Sequence, residues 1–378
     1  MGIPLKKTLH KILLLINGLL VFGILLAYLC VYISPEKLWV PALFGLAYTI
    51  LLLLNLLMII AWSIRKNVYF LLSLIAILLG WGHLRNYIQI PDRTSQSISE
   101  PLHDSLTREK TGNILPVSFL SYNVRLFDHY RWSDSPEAGQ KIVDLIIDIK
   151  PEILCLQEIY IPVAEKIPEL ISTGDQPGYP YSHILHAPAN KENSNYGIAI
   201  FSAFPIINQG EIRFQDSHNL VIYTDLKIRH DTIRVYNNHL QSVRLRKKDY
   251  DLMKLINSGE DETMNDIKDI SYRLKYAFRK RARQADLLST HIESSPYPVI
   301  VCGDFNDTPV SYSYRKIKND LVDAFTHSGK GTGKTYSDVF PSYRIDYIFH
   351  SEEIVSMGFN TIKVNYSDHY PVSCIFEF

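Results

Sequence analysis

Apolar positions along the chain fall into two regimes that meet near residue 90. Before that point, Ile12–Ile33, Leu38–Ile64 and Val68–Leu84 are apolar runs without a Lys, Arg, Asp or Glu. A helix of roughly 20 apolar residues crosses the ~30 Å hydrocarbon layer of a bilayer. LLLLNLLMIIAW has no polar face of the kind a soluble helix presents, and no small-residue cleavage site follows the first run. Residues 1–90 therefore read as an anchor of three transmembrane helices. Lys6, Lys7 and Lys11 precede the first run, and Arg65 and Lys66 separate the second from the third. By the bias of basic residues towards the cytoplasm, the N-terminus lies inside and everything after about residue 90 outside, in the inner or cell membrane.

Residues 91–116 (PDRTSQSISEPLHDSLTREKTGNILP) are polar and without apolar periodicity, as expected of a linker. From residue 117 the period shortens. VSFLSYNV, EILCLQEI, YGIAIFS, LVIYTDLKI, TIRVYNNHL, YPVIVCGDF, YRIDYIFH and YPVSCIFEF have strand length and are rich in β-branched and aromatic residues. AGQKIVDLIIDI (residues 138–149) has helical spacing and stops before Pro151, and residues 266–292 carry a longer helical pattern. Many strands with few helices predict two packed sheets flanked by helices, an α+β sandwich, over residues 117–378.

Lys+Arg and Asp+Glu both number 39, so net charge gives no ground for nucleic-acid binding by the chain as a whole. The basic stretch at residues 279–283 could meet lipid headgroups, nucleic-acid phosphates or only solvent. Four cysteines are too few for a disulfide scaffold, and their apolar settings predict buried free thiols.

The chemistry sits at strand ends: SYNVR, QE, NNHLQS, GDFND, RIDYIF and SDHYPV. Polar groups gathered at strand ends are where a β-scaffold converges side chains on a pocket. Glu158 closes an apolar strand and suits Mg²⁺, which takes few carboxylates plus substrate oxygens. Asn237 and His239 are two apart and share a strand face. Asp304, Asn306 and Asp307 follow a strand through Gly303, where an Asx-rich turn is the ordinary alternative to a site. Asp346, in an otherwise apolar strand, needs a partner, and the Asp368–His369 pair offers one.

Taken in order, these segments resemble the endonuclease/exonuclease/phosphatase superfamily, which includes pancreatic-type DNases, abasic-site endonucleases, neutral sphingomyelinases and inositol-polyphosphate phosphatases. GDFND and SDHYPV are the most specific pieces. The resemblance implies a four-layer αββα sandwich and a phosphoesterase using Mg²⁺, with Mn²⁺ as the alternative metal. It implies that Asn123, Glu158 and Asp368 serve the metal. Asn237, His239, Asn306 and His369 would then bind phosphate. Asp304 and Asn306 would orient or deprotonate the attacking water, and Asp346 would hold the catalytic His369. Ala203-Phe204-Pro205 stands where many members carry a basic residue, which puts polynucleotide binding in doubt. The expected partners are the membrane and a phospholipid or nucleic-acid phosphoester, with no obligate protein partner. A nuclease outside the cytoplasm and a catalytically silent tethered module are the alternatives.

Overall fold

Alternating apolar residues and strand-end polar groups translate into the sheets directly, whereas the N-terminal runs do not translate into spans one for one. The computed structural model describes residues 3–90, 116–133, 135, 137–172, 178–187, 195–215, 217–243, 261–337 and 343–378. The expected linker therefore lies outside the described residues, Pro116 apart. The chain groups into two units: Met1–Arg85 with Gln241–Asp286 and Asp307–Lys316, and Asn86–Leu240 with Leu287–Asn306 and Ile317–Phe378.

The first unit begins with α1 (Ile3–Cys30), α2 (Val40–Leu46), α3 (Tyr48–Ile64), α4 (Phe70–Leu79) and α5 (Trp81–Arg85). Three spans were expected, and one helix, over Lys7–Cys30, is long and apolar enough to cross a bilayer. The second run breaks at Ala47, with α2 and α3 bent by 67°. Just before the break α2 packs closely at Gly45, where a Cβ would meet the Val310 carbonyl oxygen at 2.3 Å and Cys30 Sγ at 2.5 Å. The third run stops at Gly80, leaving α4 with 10 residues, about half the length that hydrocarbon demands. Composition reports apolarity and is blind to such breaks.

The N-terminal helices of this unit bury a polar cluster beside apolar residues such as Ile24, Ala27 and Trp62. Asn17, Asn55 and Ser73 are fully buried. Ser73 Oγ lies 2.6 Å from Asn17 Oδ1 and 2.8 Å from Asn55 Oδ1, joining α1, α3 and α4. The two Asn amides donate to the carbonyls of Tyr69, Leu20 and Leu51. Leu15, Leu19, Phe22, Leu57, Ile60 and Ile75 meanwhile point outward and are exposed.

The second unit holds all the strands found among the described residues. They are β1 (Ile88–Gln89), β2 (Val117–Asn123), β3 (Ile153–Tyr160), β4 (Tyr181–His186), β5 (Tyr196–Ser202), β6 (Ile206–Arg213) and β7 (Leu220–Ile228). The chain continues through β8 (Asp231–His239), β9 (Val299–Asp304), β10 (Val322–Asp323), β11 (Gly331–Thr332), β12 (Asp346–His350), β13 (Val355–Thr361) and β14 (Val372–Glu377). One six-stranded sheet runs β13-β14-β2-β3-β5-β4 and the other β10-β12-β9-β8-β7-β6, each mixed. Their facing sides share one core that contains Phe119, Cys155, Ile222, Val235, Cys302 and Cys374. All four cysteines are free and buried, as the sequence implies. The amphipathic α6 (Ala138–Ile149) lays Ile142, Val143 and Ile146 on the outer face of the first sheet, with Leu120, Leu154 and Phe201 beneath. The short helices α7 (Ile161–Ala164) and α8 (Ile167–Leu170) follow β3, and on the second sheet Tyr236 of β8 meets His291, near the end of α9 (Asp261–Glu293).

Each sheet contains one parallel pair, β2 with β3 and β8 with β9. Parallel neighbours end on the same side. The two pairs therefore bring the end of β2 at Asn123 level with Gln157, next to Glu158, and the ends of β8 and β9 together at His239 and Asp304. Gly303 makes the second pairing possible: its φ is +122°, and a Cβ would sit 2.1 Å from the Asn238 carbonyl oxygen.

Arg344 and Asp323 form a buried ion pair, with Nη2 2.6 Å from Oδ2, and Arg344 Nη1 donates to the Asn86 carbonyl at 2.9 Å. Removing one partner of such a pair strands the other charge in the core. Arg344→Ala is expected to lower unfolding stability by about 3 kcal/mol, read as a fall in the urea midpoint with an unchanged slope. A loss within experimental error would mean that water reaches Asp323.

Candidate active site

Asn123 ends β2 with its side chain buried, donating from Nδ2 to Asp304 Oδ2 at 3.1 Å and accepting the Arg125 N–H at 3.1 Å. Glu158 lies inside β3, where the pairing with β5 slips between Leu156 and Ile159, and its φ is +48°. An added residue in a strand re-aims the next side chain, and a positive φ on Glu costs on the order of 1 kcal/mol. Here the bulge turns Glu158 out of the strand's alternation so that Oε1 lies 3.3 Å from His239 Nε2.

Asp304 is buried and accepts three hydrogen bonds, from Asn306 N at 2.8 Å, Asn306 Nδ2 at 2.9 Å and Asn123 Nδ2 at 3.1 Å. His239 and His369 present Nε2 to its Oδ2 at 3.9 and 3.7 Å. His369 Nδ1 is 2.9 Å from Asp346 Oδ2, and Asp346 pairs with Asp304 across β12 and β9. The carboxylate fixes the tautomer, so Nε2 is the nitrogen turned to the cluster. Glu158, His239 and Asp304 hold their donor atoms within 4.8 Å of one another, and so do Asp304, Asp346 and His369. Asp304 belongs to both triads.

The electrostatics divide the carboxylates. Burial would raise the Glu158 pKa, but His239 beside it and His369 farther off hold it down to about 2. Burial pushes Asp304 up to about 6, opposed by His369 and His239 and reinforced by Asp346 and Glu158. Burial alone would lower both histidines, yet Glu158 raises His239 and Asp346 with Asp304 carries His369 well above its ordinary value. The cluster thus holds a firmly ionised Glu158, an Asp304 that titrates near pH 6 and two histidines biased towards the imidazolium.

These residues fit a hard divalent cation. Glu158 offers carboxylate oxygens with the Asn123 amide beside it, the oxygen donors such a cation takes. His239 Nε2 is buried without an aligned hydrogen bond, and as an imidazolium N–H it calls for an anionic acceptor.

Not every expected residue joins. Asn237 is fully buried and its amide is spent on the fold: Nδ2 donates to the carbonyls of Leu156 and Ala199, and Oδ1 accepts from Gln157 at 2.6 Å. It ties β8 to β3 and β5. Asn306 directs Nδ2 at Asp304 and at the Leu240 carbonyl, so it positions Asp304. The Asp368 carboxylate lies 3.4 Å from Arg125 Nε, and its charge adds to the rise of the His369 pKa. Asp307 pairs with the buried Arg281 at 3.0 Å.

Arg125 opens a turn in which four consecutive residues, Arg125 to Asp128, have positive φ. Asp128 closes it by accepting the N–H groups of Trp132 and Ser133. The turn sets the Arg125 guanidinium over the Trp132 ring at 5.3 Å and leaves Tyr130 and Trp132 exposed. Tyr336 meets His369 edge to face at 5.2 Å. Of these, only Arg125 stood inside a motif in the sequence; left-handed turns of non-glycine residues carry no compositional mark.

A family profile described as the Endonuclease/Exonuclease/phosphatase family matches residues 120–369, and one described as a domain of unknown function matches residues 10–87. No curated protein matches the chain. An endonuclease/exonuclease/phosphatase family protein from Bacteroides thetaiotaomicron superposes with a TM-score of 0.50 at 17% identity, over 71% of this chain and 99% of its own. TDP2 from D. rerio, complexed with single strand DNA product, gives 0.49 at 14% identity over 69% and 98%. A mannosyl-6-phosphatase from B. thetaiotaomicron gives 0.46 at 15% identity over 69% and 100%. At these identities the likeness is one of fold.

Proposed function

The chain belongs to the endonuclease/exonuclease/phosphatase family, and on that footing we propose that it is a membrane-tethered, metal-dependent phosphodiesterase acting through Glu158, His239, Asp304 and His369. The observation that carries this reading is the pair of triads sharing Asp304. A divalent cation, magnesium or manganese, held at Glu158 with Asn123 would supply Lewis-acid neutralisation of the phosphoryl charge.

The rest is the work of the chain's own groups. His369, kept protonated by Asp346 and Asp304, donates through Nε2 to a phosphoryl oxygen as negative charge grows there, and His239 does the same. That state disqualifies His369 as the base. Asp304, with its pKa near 6 and held by Asn306 and Asn123, takes the proton of the attacking water. No serine or cysteine nucleophile enters, since water attacks phosphorus directly.

The catalytic part is residues 117–378, with α1 as the anchor and 91–116 as the tether. Membrane embedding is supported by the apolar exterior of the N-terminal helices and by the polar cluster of Asn17, Asn55 and Ser73 buried among them. In lipid, helices associate through buried polar contacts while aliphatic side chains face the acyl chains.

Full-length protein in detergent is expected to hydrolyse bis(p-nitrophenyl) phosphate, to lose that activity in EDTA and to regain it with Mg²⁺ or Mn²⁺. Turnover that persists in EDTA would sink the metal-dependent reading. A polynucleotide substrate is the second reading, favoured by the exposed rings of Tyr130 and Trp132 beside Arg125, since every base offers a face for stacking. Parallel incubations with plasmid DNA and with phospholipid vesicles separate the two substrate classes.

A further inference from the structure

The apolar shaft of α1 ends at Cys30, and the chemistry just beyond it changes abruptly. Tyr32 is exposed, and the Arg315 guanidinium lies over its ring, 4.4 Å from the centroid. Trp39, seven residues on, has Lys275 Nζ 6.0 Å from its ring. Arg283 pairs with Glu36 between those two aromatics. Two stretches about 240 or more residues downstream, in α9 and in α10 (Tyr312–Lys318), thus send cations to the end of the first helix. Lys37 is exposed there as well, and Lys316 follows Arg315. Among the described residues, no salt bridge engages Lys37, Lys275, Arg315 or Lys316, while Glu36 is already neutralised by Arg283.

The order along the molecule is therefore an aliphatic surface, then a tyrosine and a tryptophan, then a group of cations without carboxylate partners. A bilayer leaflet has the complementary order: acyl chains, the amphipathic interface where Trp and Tyr settle, and the phosphate layer. A solvated basic face would account for the charges alone. It would not account for two of them being stacked on the aromatic rings that close an apolar helix.

We propose that Lys37, Lys275, Arg315 and Lys316, around Tyr32 and Trp39, form a binding site for the headgroups of anionic phospholipid. The inference rests on the reading of α1 as membrane-embedded and is independent of catalysis. The occupant is a lipid, because a free anion would have no use for the adjoining apolar shaft.

The test uses the full chain reconstituted in nanodiscs of equimolar phosphatidylcholine and phosphatidylglycerol, with retained lipid counted by native mass spectrometry. Wild type is expected to retain phosphatidylglycerol about tenfold over phosphatidylcholine. Lys275→Gln/Arg315→Gln/Lys316→Gln is expected to abolish the preference while leaving bis(p-nitrophenyl) phosphate turnover unchanged. All three residues are at least partly exposed, so the variant should fold. Equal retention of both lipids by wild type, or an undiminished preference in the variant, overturns the site. A chain that associates with no bilayer of any composition overturns the membrane reading, and the lipid site falls with it.

Discussion

Glu158→Gln is expected to lower kcat/KM for a phosphodiester by about 10³-fold, or ~4 kcal/mol of transition-state stabilisation. The substitution keeps size and removes a carboxylate that is fully ionised across the physiological range, with its pKa near 2. Two effects combine. The cation loses its charged oxygen donor, and His239 loses the anion 3.3 Å away that raises its pKa. The His239 pKa is therefore expected to fall in the variant, and the ring's NMR titration should move to lower pH. An apparent metal affinity weakened together with kcat/KM identifies the ligand role. A loss of less than tenfold, with metal affinity intact, would show that Glu158 serves only to orient His239.

Much of this site could be read from residue types at strand ends, because strands must stop somewhere and buried polar groups must be paired. Asp346 illustrates the logic: a carboxylate in an apolar strand demanded a partner, and His369 supplies it at 2.9 Å. The eight apolar segments all became strands, and residues 138–149 became α6 to the residue. β1, β4, β6, β10, β11 and β13 went unread. β6 is an edge strand whose residues are mostly exposed, so its pattern carries little apolar signal.

What failed to show in the sequence was direction. Asn237 and His239 share a strand face, as the period of two requires, yet Asn237 is spent between the sheets while His239, two residues nearer the strand end, reaches the cluster. Glu158 reaches the cluster through a bulge that no residue type announces. The resemblance places Asp368 with the metal, whereas its carboxylate lies 3.4 Å from Arg125 Nε in a bend whose direction no residue type announces. The N-terminal region failed for a related reason. Three apolar runs fix hydrophobicity, but they mark neither the break at Ala47 nor the stop at Gly80.

Asp304→Asn tests the assignment of the base and is expected to cost about 10³-fold in kcat/KM. The amide can still accept hydrogen bonds through its oxygen from Asn306 or Asn123, so the geometry is largely kept while the proton acceptor is lost. For wild type, kcat/KM should rise with pH along a limb at or below about 6, where Asp304 ionises, since a bound cation can only ease that ionisation. The variant's residual activity should lack this limb. Stability supplies a second readout in metal-free protein, with a definite sign. Because the folded pKa is raised above the ~3.9 of an unfolded Asp, the contribution of Asp304 is fully present below about pH 4 and is lost as pH rises through about 6. Asn has no such titration, so the stability of the variant relative to wild type should improve steadily between those two values. A difference that stays flat across the window would mean that the folded protein leaves Asp304 as acidic as the unfolded chain does. If the acidic limb also survived in the variant, another group would be taking the proton from water.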